Sequence, residues 1–171
     1  MSQIPTWILA GFYWSHMLAT IVWLGGLAVV VLLIYPSERA MVRSDRHAPL
    51  TLQVSRWLNR VAWFALLLLG VSGLFQLSAS NQYQGMLVIS NTWSILIFIK
   101  HIVVLVMGLV TLITGSTVLP DIERLLLRNQ AGKNYLPDSL RSSQLRLMTL
   151  HRINLGLGVV VLGLTAWARI Q

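Results

Sequence analysis

The chain has 171 residues, of which 56% are hydrophobic and only 11% are charged, and its mean hydropathy of +0.70 lies outside the range of soluble globular proteins. The formal charge of +8 does not indicate a nucleic-acid ligand, because most basic residues lie in two segments that connect hydrophobic runs. The absence of cysteine excludes disulfides, thiolate metal sites and iron–sulfur clusters. The composition therefore predicts a polytopic membrane protein whose main partner is the lipid bilayer.

Four hydrophobic runs are long enough to cross a bilayer, which needs ~20 apolar residues in a helix. They cover residues 7–35, 57–77, 93–119 and 148–168. The first run has no basic segment before it and bulky residues after it, so we expect it to be retained and not cleaved as a signal peptide. Four runs of alternating direction predict a single all-α transmembrane domain, an up-down four-helix bundle.

The charge distribution predicts the orientation of this bundle. All acidic residues and most basic residues lie in segments 37–56 and 120–146, whereas the N-terminal tail and residues 78–92 carry no charged side chain. Basic segments stay on the cytoplasmic side, so both termini should lie outside a bacterial-type plasma membrane. Each charged segment begins at a proline, Pro36 or Pro120, followed by a short amphipathic stretch, which predicts two helices on the cytoplasmic surface.

Two histidines lie at matched depth in parallel runs. His16 follows Trp7 by 9 residues and His101 follows Trp93 by 8. At ~1.5 Å per residue, both side chains lie ~12–14 Å below these interfacial tryptophans. Two imidazoles on different helices at one depth are the axial ligands that a b-type haem needs. The pattern therefore predicts haem b between the first and third helices, with electron transfer or redox sensing as the function.

Two further residues of the third run fit this prediction. Gly108 lies on the face of His101 at heptad spacing, where it could leave room for a macrocycle or simply permit close helix packing. Lys100 is an ammonium within a membrane span, so it either serves as counter-ion to a haem propionate or substrate carboxylate, or extends to the interface.

The remaining metal-ligand candidates are weaker. Met17 and Met107 are soft side chains that can bind copper(I), although methionine in an apolar helix usually packs. His151 lies near the opposite interface and cannot share a site with His16. No acidic residue occurs in any run, which disfavours hydrolytic and carboxylate-driven chemistry. We therefore expect a protein that is not a stand-alone enzyme or, if it is one, a haem-dependent oxidoreductase.

The sequence His-Met-Leu-Ala-Thr-Ile-Val-Trp-Leu-Gly-Gly-Leu at residues 16–27, followed by Tyr35-Pro36, resembles the opening helix of the CopD family, the copper-resistance D membrane domain. The similarity continues through Ser-Arg-Trp-Leu at residues 55–58 and Ile-Lys at residues 99–100. The resemblance implies copper handling across the inner membrane. A copper protein of this type would use His16, Met17, His101 and Met107 as ligands.

A more distant similarity is to the HemJ family of membrane protoporphyrinogen oxidases. It includes the order of histidine, tryptophan and Gly-Leu in the first run, the lysine of the third, and Arg-Ile-Asn at residues 152–154. This resemblance implies bound haem. A third hypothesis needs neither cofactor: the chain would be a structural subunit of a larger membrane or redox complex, its histidines satisfied by helix contacts. The sequence leaves these three alternatives open.

Overall fold

The computed structural model describes residues 5–36, 48–80, 92–130 and 137–170, and within them it contains helices, turns and no strand. The helices are α1 (Thr6–Val29), α2 (Ala48–Ser78), α3 (Thr92–Ile113), α4 (Leu119–Gln130) and α5 (Pro137–Ala168), with π-helical turns at Val30–Ile34 and Thr114–Val118. Four helical stretches, the third of them α3 continued into α4, are long and apolar enough to cross a membrane. The prediction of an all-α, four-helix membrane protein is confirmed, while the orientation of the termini stays a prediction.

The surface of the bundle is apolar, as a lipid-facing surface must be. Leu67 and Leu105 are 68% and 69% exposed, and the interfacial Trp7 is 74% exposed. Because hydrocarbon offers no hydrogen bonds, the backbone of each span must satisfy its polar groups internally, which a helix does. The hydrophobic runs thus fold as helices that present apolar side chains on every side.

The four spanning helices pack as two pairs. Helix α1 packs along α2 and helix α3 along α5, and the contacts between α1 and α5 and between α2 and α3 join these pairs. Small residues permit close approach: a Cβ on Gly26 would lie 2.8 Å from Leu58, and one on Gly158 would overlap Leu24. The first and third helices therefore lie diagonally, each with α2 and α5 as its main neighbours.

Each π-helical turn ends two residues before a proline, Pro36 or Pro120. The backbone N–H of Tyr35 donates to the carbonyl of Val30, and the N–H of Leu119 donates to that of Thr114. Proline has no N–H and its ring collides with the carbonyl four residues back, and one wider turn accommodates both effects. The third helix therefore continues through Pro120 without a break, and the first helix extends as far as Pro36, where its described segment ends.

The end of the bundle that contains both prolines, here called the proline end, extends beyond the four-helix core. Helix α4 directly continues α3 and packs against α2 and α5 over a second apolar cluster. Arg56 of α2 forms an ion pair with Glu123 of α4. The amphipathic helix expected after Pro120 is thus present, and its expected counterpart after Pro36 lies outside the described residues.

Candidate functional site

His16 is held by a hydrogen bond between α1 and α2. Its Nδ1 lies 2.9 Å from the Oγ of Ser72, and this hydroxyl donates its single proton to the carbonyl of Leu68 at 2.6 Å. The hydroxyl oxygen can therefore only accept from the ring, which places the imidazole proton on Nδ1. The lone pair of Nε2 is left available for a ligand.

Contacts beside this hydrogen bond, toward the start of α1 and the end of α2, fix the register of α1 on α2. The rings of Phe12 and Phe75 stack with centroids 4.0 Å apart, and Gln76 Nε2 donates to the Phe12 carbonyl at 3.2 Å. On the His16 ring itself, a Cβ added to Gly73 would lie 3.5 Å from Cε1. The half-buried imidazole is therefore positioned by its neighbours on α2.

A basic side chain of α3 lies near His16. The ammonium of half-buried Lys100 on α3 is close enough to act electrostatically on His16, and the guanidinium of Arg169 acts in turn on Lys100. All five carboxylates of the chain lie outside the apolar cores of the spans. We call His16, Ser72, Gly73 and Lys100 the His16 site. It pairs an available imidazole nitrogen with a cation that has no carboxylate nearby among the described residues.

His101 has the same protonation pattern as His16. Its Nδ1 lies 2.7 Å from the carbonyl of Ile97, which can only accept, so the proton is on Nδ1 and Nε2 is available. No atom of the described residues, other than the backbone of its own helix, lies within 4 Å of the position that a Cβ on Gly108 would occupy. Among the described residues no hydrogen bond joins His101 to His16, so the two predicted ligands are anchored separately, on α3 and on α2.

The two methionine candidates have different surroundings. Met17 is 61% exposed on the outer surface of the bundle, whereas Met107 is 2% exposed in the apolar core. Trp23 of the Trp-Leu-Gly-Gly motif is also 2% exposed, and its Nε1 has no hydrogen-bond partner in the described part of the chain. The structure therefore does not bring the two methionine side chains together at His16.

A second polar cluster lies toward the proline end, and sequence reasoning missed it. The Oη of Tyr35, which is fully buried, lies 2.5 Å from Nδ1 of His151, and the two rings are nearly parallel at 12°. His151 is only 5% exposed. Depth could have revealed the pair, because Tyr35 ends the first run and His151 begins the fourth at the same end of the bundle.

The cluster extends from His151 along α5 to α3. Asn154 Nδ2 donates to Thr111 Oγ1 at 3.1 Å, and Thr111 Oγ1 donates to the carbonyl of Met107 at 2.9 Å. The buried Oδ1 of Asn154 accepts no hydrogen bond within the described residues. We call Tyr35, His151, Asn154 and Thr111 the polar layer. It contains the most deeply buried of the described histidines and an unsatisfied acceptor.

Neither cluster is a preformed cage of charged ligands. The described residues contain no group of three or more histidine, cysteine, aspartate or glutamate side chains that could hold a metal ion. Helix α2 contributes a further amide to the interior, since a Cβ on Gly115 would lie 2.5 Å from Nδ2 of Asn59. A metal bound in this bundle would therefore depend on single imidazoles combined with neutral ligands.

Comparison with known proteins gave one finding. A family model described as CopD, copper resistance protein D, matches residues 52–168. The match covers most of α2 and all of α3 to α5, and it includes Lys100, His101 and His151, while His16 and Tyr35 lie outside it. No curated protein and no solved structure matches. The resemblance to the HemJ family stays a prediction.

Proposed function

This chain belongs to the copper resistance protein D family and is a multi-pass membrane protein, and from that premise we propose that it binds copper ions as cargo within the membrane, with His16 as the principal ligand. The observation that carries the proposal is the hydrogen bond from His16 Nδ1 to Ser72. It leaves Nε2 as a lone-pair donor inside an apolar bundle. Imidazole is a common copper ligand, and a partner on the other ring nitrogen is typical of histidines that bind metals.

The proposal gives roles to the other residues of the His16 site. Ser72 orients the ring and raises the basicity of Nε2, because its hydroxyl oxygen accepts a hydrogen bond from the Nδ1–H group. His101 offers a second imidazole with an available Nε2. We place the chain in a bacterial plasma membrane with its basic segments in the cytoplasm, so that the His16 site faces the outer half of the bilayer.

Copper binding to the purified protein tests this function. Copper retained in mild detergent should fall strongly in His16→Ala, since the ion loses its principal ligand. Met17→Leu is the matched control, because the Met17 side chain is 61% exposed on the outer surface of the same helix. Unchanged copper content in His16→Ala would contradict the proposal. A protein that binds no copper and tolerates His16→Gln would indicate a structural subunit of a larger complex.

A second candidate function is supported by the charge of Lys100 and the shared protonation pattern of two histidines. His16 and His101 would hold haem b through their Nε2 atoms, and Lys100 would pair with one of its carboxylates. The open space at Gly108 suits a macrocycle. When bound, haem would supply one-electron redox chemistry. A Soret band that sharpens on reduction, with resolved α and β bands, would favour this function.

The variant Lys100→Met separates the two candidates by the sign of its effect. The ammonium of Lys100 acts on His16 and repels a cation there, so its removal should tighten copper binding. The same change removes the counter-ion of a propionate and should weaken haem binding. Copper affinity and haem occupancy are measured on the same preparations. Weaker copper binding in Lys100→Met would contradict the copper proposal.

A further inference from the structure

The interior face of α5 at the proline end is unusual for a membrane helix. Met148, His151, Asn154 and Gly158 follow one another at spacings of three or four residues, which places them on one face, and all four are buried. A buried amide and a buried imidazole are costly in a bilayer, where a leucine at either position would pack at no polar cost. This face therefore indicates a binding function.

Two side chains on this face form a matched ligand pair. Met148 is 8% exposed and His151 is 5% exposed, one helical turn apart, so their Cβ atoms are ~5–6 Å apart. Both belong to the region where α5 packs against the end of α1, since Met148 shares an apolar cluster with Tyr35. A thioether and an imidazole can thus reach one ion from a single helix.

We propose that Met148 and His151 form a second copper site, selective for copper(I), at the proline end of the bundle. This inference rests on the proposed function and extends it from one site to two. Thioether sulfur is a soft ligand that favours copper(I), and imidazole completes the pair without adding charge. The ion binds and leaves as copper(I), so no electron is exchanged with the protein.

The polar layer provides the support that such a site needs. Tyr35 Oη lies 2.5 Å from His151 Nδ1, and a metal on Nε2 would place the ring proton on Nδ1, where this hydroxyl accepts it. Asn154 Oδ1, buried and unsatisfied one turn farther along α5, is an acceptor for a proton of a water molecule that accompanies the ion. The polar layer therefore orients His151, and one of its buried polar atoms, Asn154 Oδ1, has no hydrogen-bond partner within the described residues.

The two sites would lie at different depths along the bundle. His16 and Tyr35 mark their depths on α1 and are 19 residues apart. At ~1.5 Å per residue this separation is ~28 Å, close to the thickness of the hydrocarbon core. Copper bound at the His16 site and at the proline end would thus occupy two stations ~28 Å apart along the bundle axis.

Anaerobic titration of the full chain with copper(I) against a competing chelator tests the second site. The wild type should bind two ions, and both His16→Ala and His151→Ala should bind one. In the His16→Ala background, X-ray absorption of the bound copper should show a sulfur neighbour, which Met148→Leu should remove. Met17→Leu in the same background is the control, because the Met17 side chain is 61% exposed on the outer surface of α1 and lies next to the substituted His16, not at the proline end.

The outcomes separate the two proposals. If His16→Ala abolishes all copper binding while the wild type binds one ion, the second site is wrong and the proposed function stands. If the wild type binds no copper, the proposed function fails. His151→Ala removes a buried side chain and so also disturbs packing. Met148→Leu conserves side-chain volume and should leave the protein folded, so it is the decisive variant. If copper bound to the Met148→Leu variant still has a sulfur neighbour, the inference is wrong.

Discussion

The His16 site and the polar layer anchor a histidine by the same chemistry and expose it to different degrees. In each, Nδ1 forms a hydrogen bond to a hydroxyl on a neighbouring helix, Ser72 for His16 and Tyr35 for His151. His16 is half-buried beside a cation, whereas His151 is 5% exposed and stacked on a tyrosine. Substitutions at His16 should therefore alter mainly ligand binding, and substitutions in the polar layer should alter folding as well.

The largest expected effect on stability is at Tyr35, whose side chain has no exposed surface. Tyr35→Ala removes a buried aromatic ring and the partner of His151, and it should lower the free energy of unfolding by about 3–5 kcal/mol. Thermal unfolding in detergent measures this loss. Tyr35→Phe is the control, because it removes only the hydroxyl, which in a membrane protein should cost about 0.6 kcal/mol. Equal losses in both variants would show that packing contributes nothing.

The next effect distinguishes two glycines of one helix face. Gly115→Ala would place a Cβ 2.5 Å from Nδ2 of Asn59, so the amide must move, at a cost of about 1–3 kcal/mol. Gly108→Ala is the matched control, since no other part of the described chain lies within 4 Å of its Cβ position and alanine favours the helix by about 0.8–1.0 kcal/mol. The melting temperature should fall in the first variant and stay or rise in the second. A fall in both would place an unrecognised neighbour at Gly108.

The smallest effect on stability is expected at the His16 site. Ser72→Ala removes one interhelical hydrogen bond and should cost about 1 kcal/mol or less. Copper affinity should fall more clearly, by about 10- to 100-fold, because the imidazole loses the partner that orients it. Ser78→Ala is the control, since the Ser78 hydroxyl bonds the Phe75 carbonyl of its own helix. Unchanged copper affinity in Ser72→Ala would show that the hydroxyl does not orient the ligand.

Hydropathy is sufficient to predict the four membrane helices, because a span needs a long apolar run and the chain contains four. It does not predict the true helix ends: α2 and α5 begin at Ala48 and Pro137, in polar segments, because they pack there against α4. Packing against α4 stabilises these polar helix ends although their own hydropathy is low. The sequence of one hydrophobic run does not show which other helices it packs against. The family resemblance, by contrast, can be identified from short motifs and is confirmed.

The sequence predicts the depth of the site residues in the bundle but not their hydrogen-bond partners. Depth along a helix follows from residue number, so the sequence alone places His16 and Lys100 in one half of the bundle. It cannot assign the hydroxyl partners, because Ser72 and Tyr35 meet their histidines only through the register and rotation of packed helices. His151 is only a weak ligand candidate in the sequence because it lies near the interface, and its burial against Tyr35 of α1 follows from helix packing that neighbouring residues do not reveal.

The π-helical turn before Pro36 also sets which way Tyr35 points. One additional residue in a helical turn rotates everything after it by ~100°, as 3.6 residues complete a full circle. The wide turn at Val30–Ile34 absorbs such an additional residue, so Tyr35 keeps its interior position. The same residues wound as a regular α-helix would turn Tyr35 toward the lipid and break its bond to His151. The polar layer thus depends on the winding of that turn as much as on residue identity, and a change that tightened the turn to regular α-helix without shortening the chain would undo the layer while leaving every one of its side chains in place.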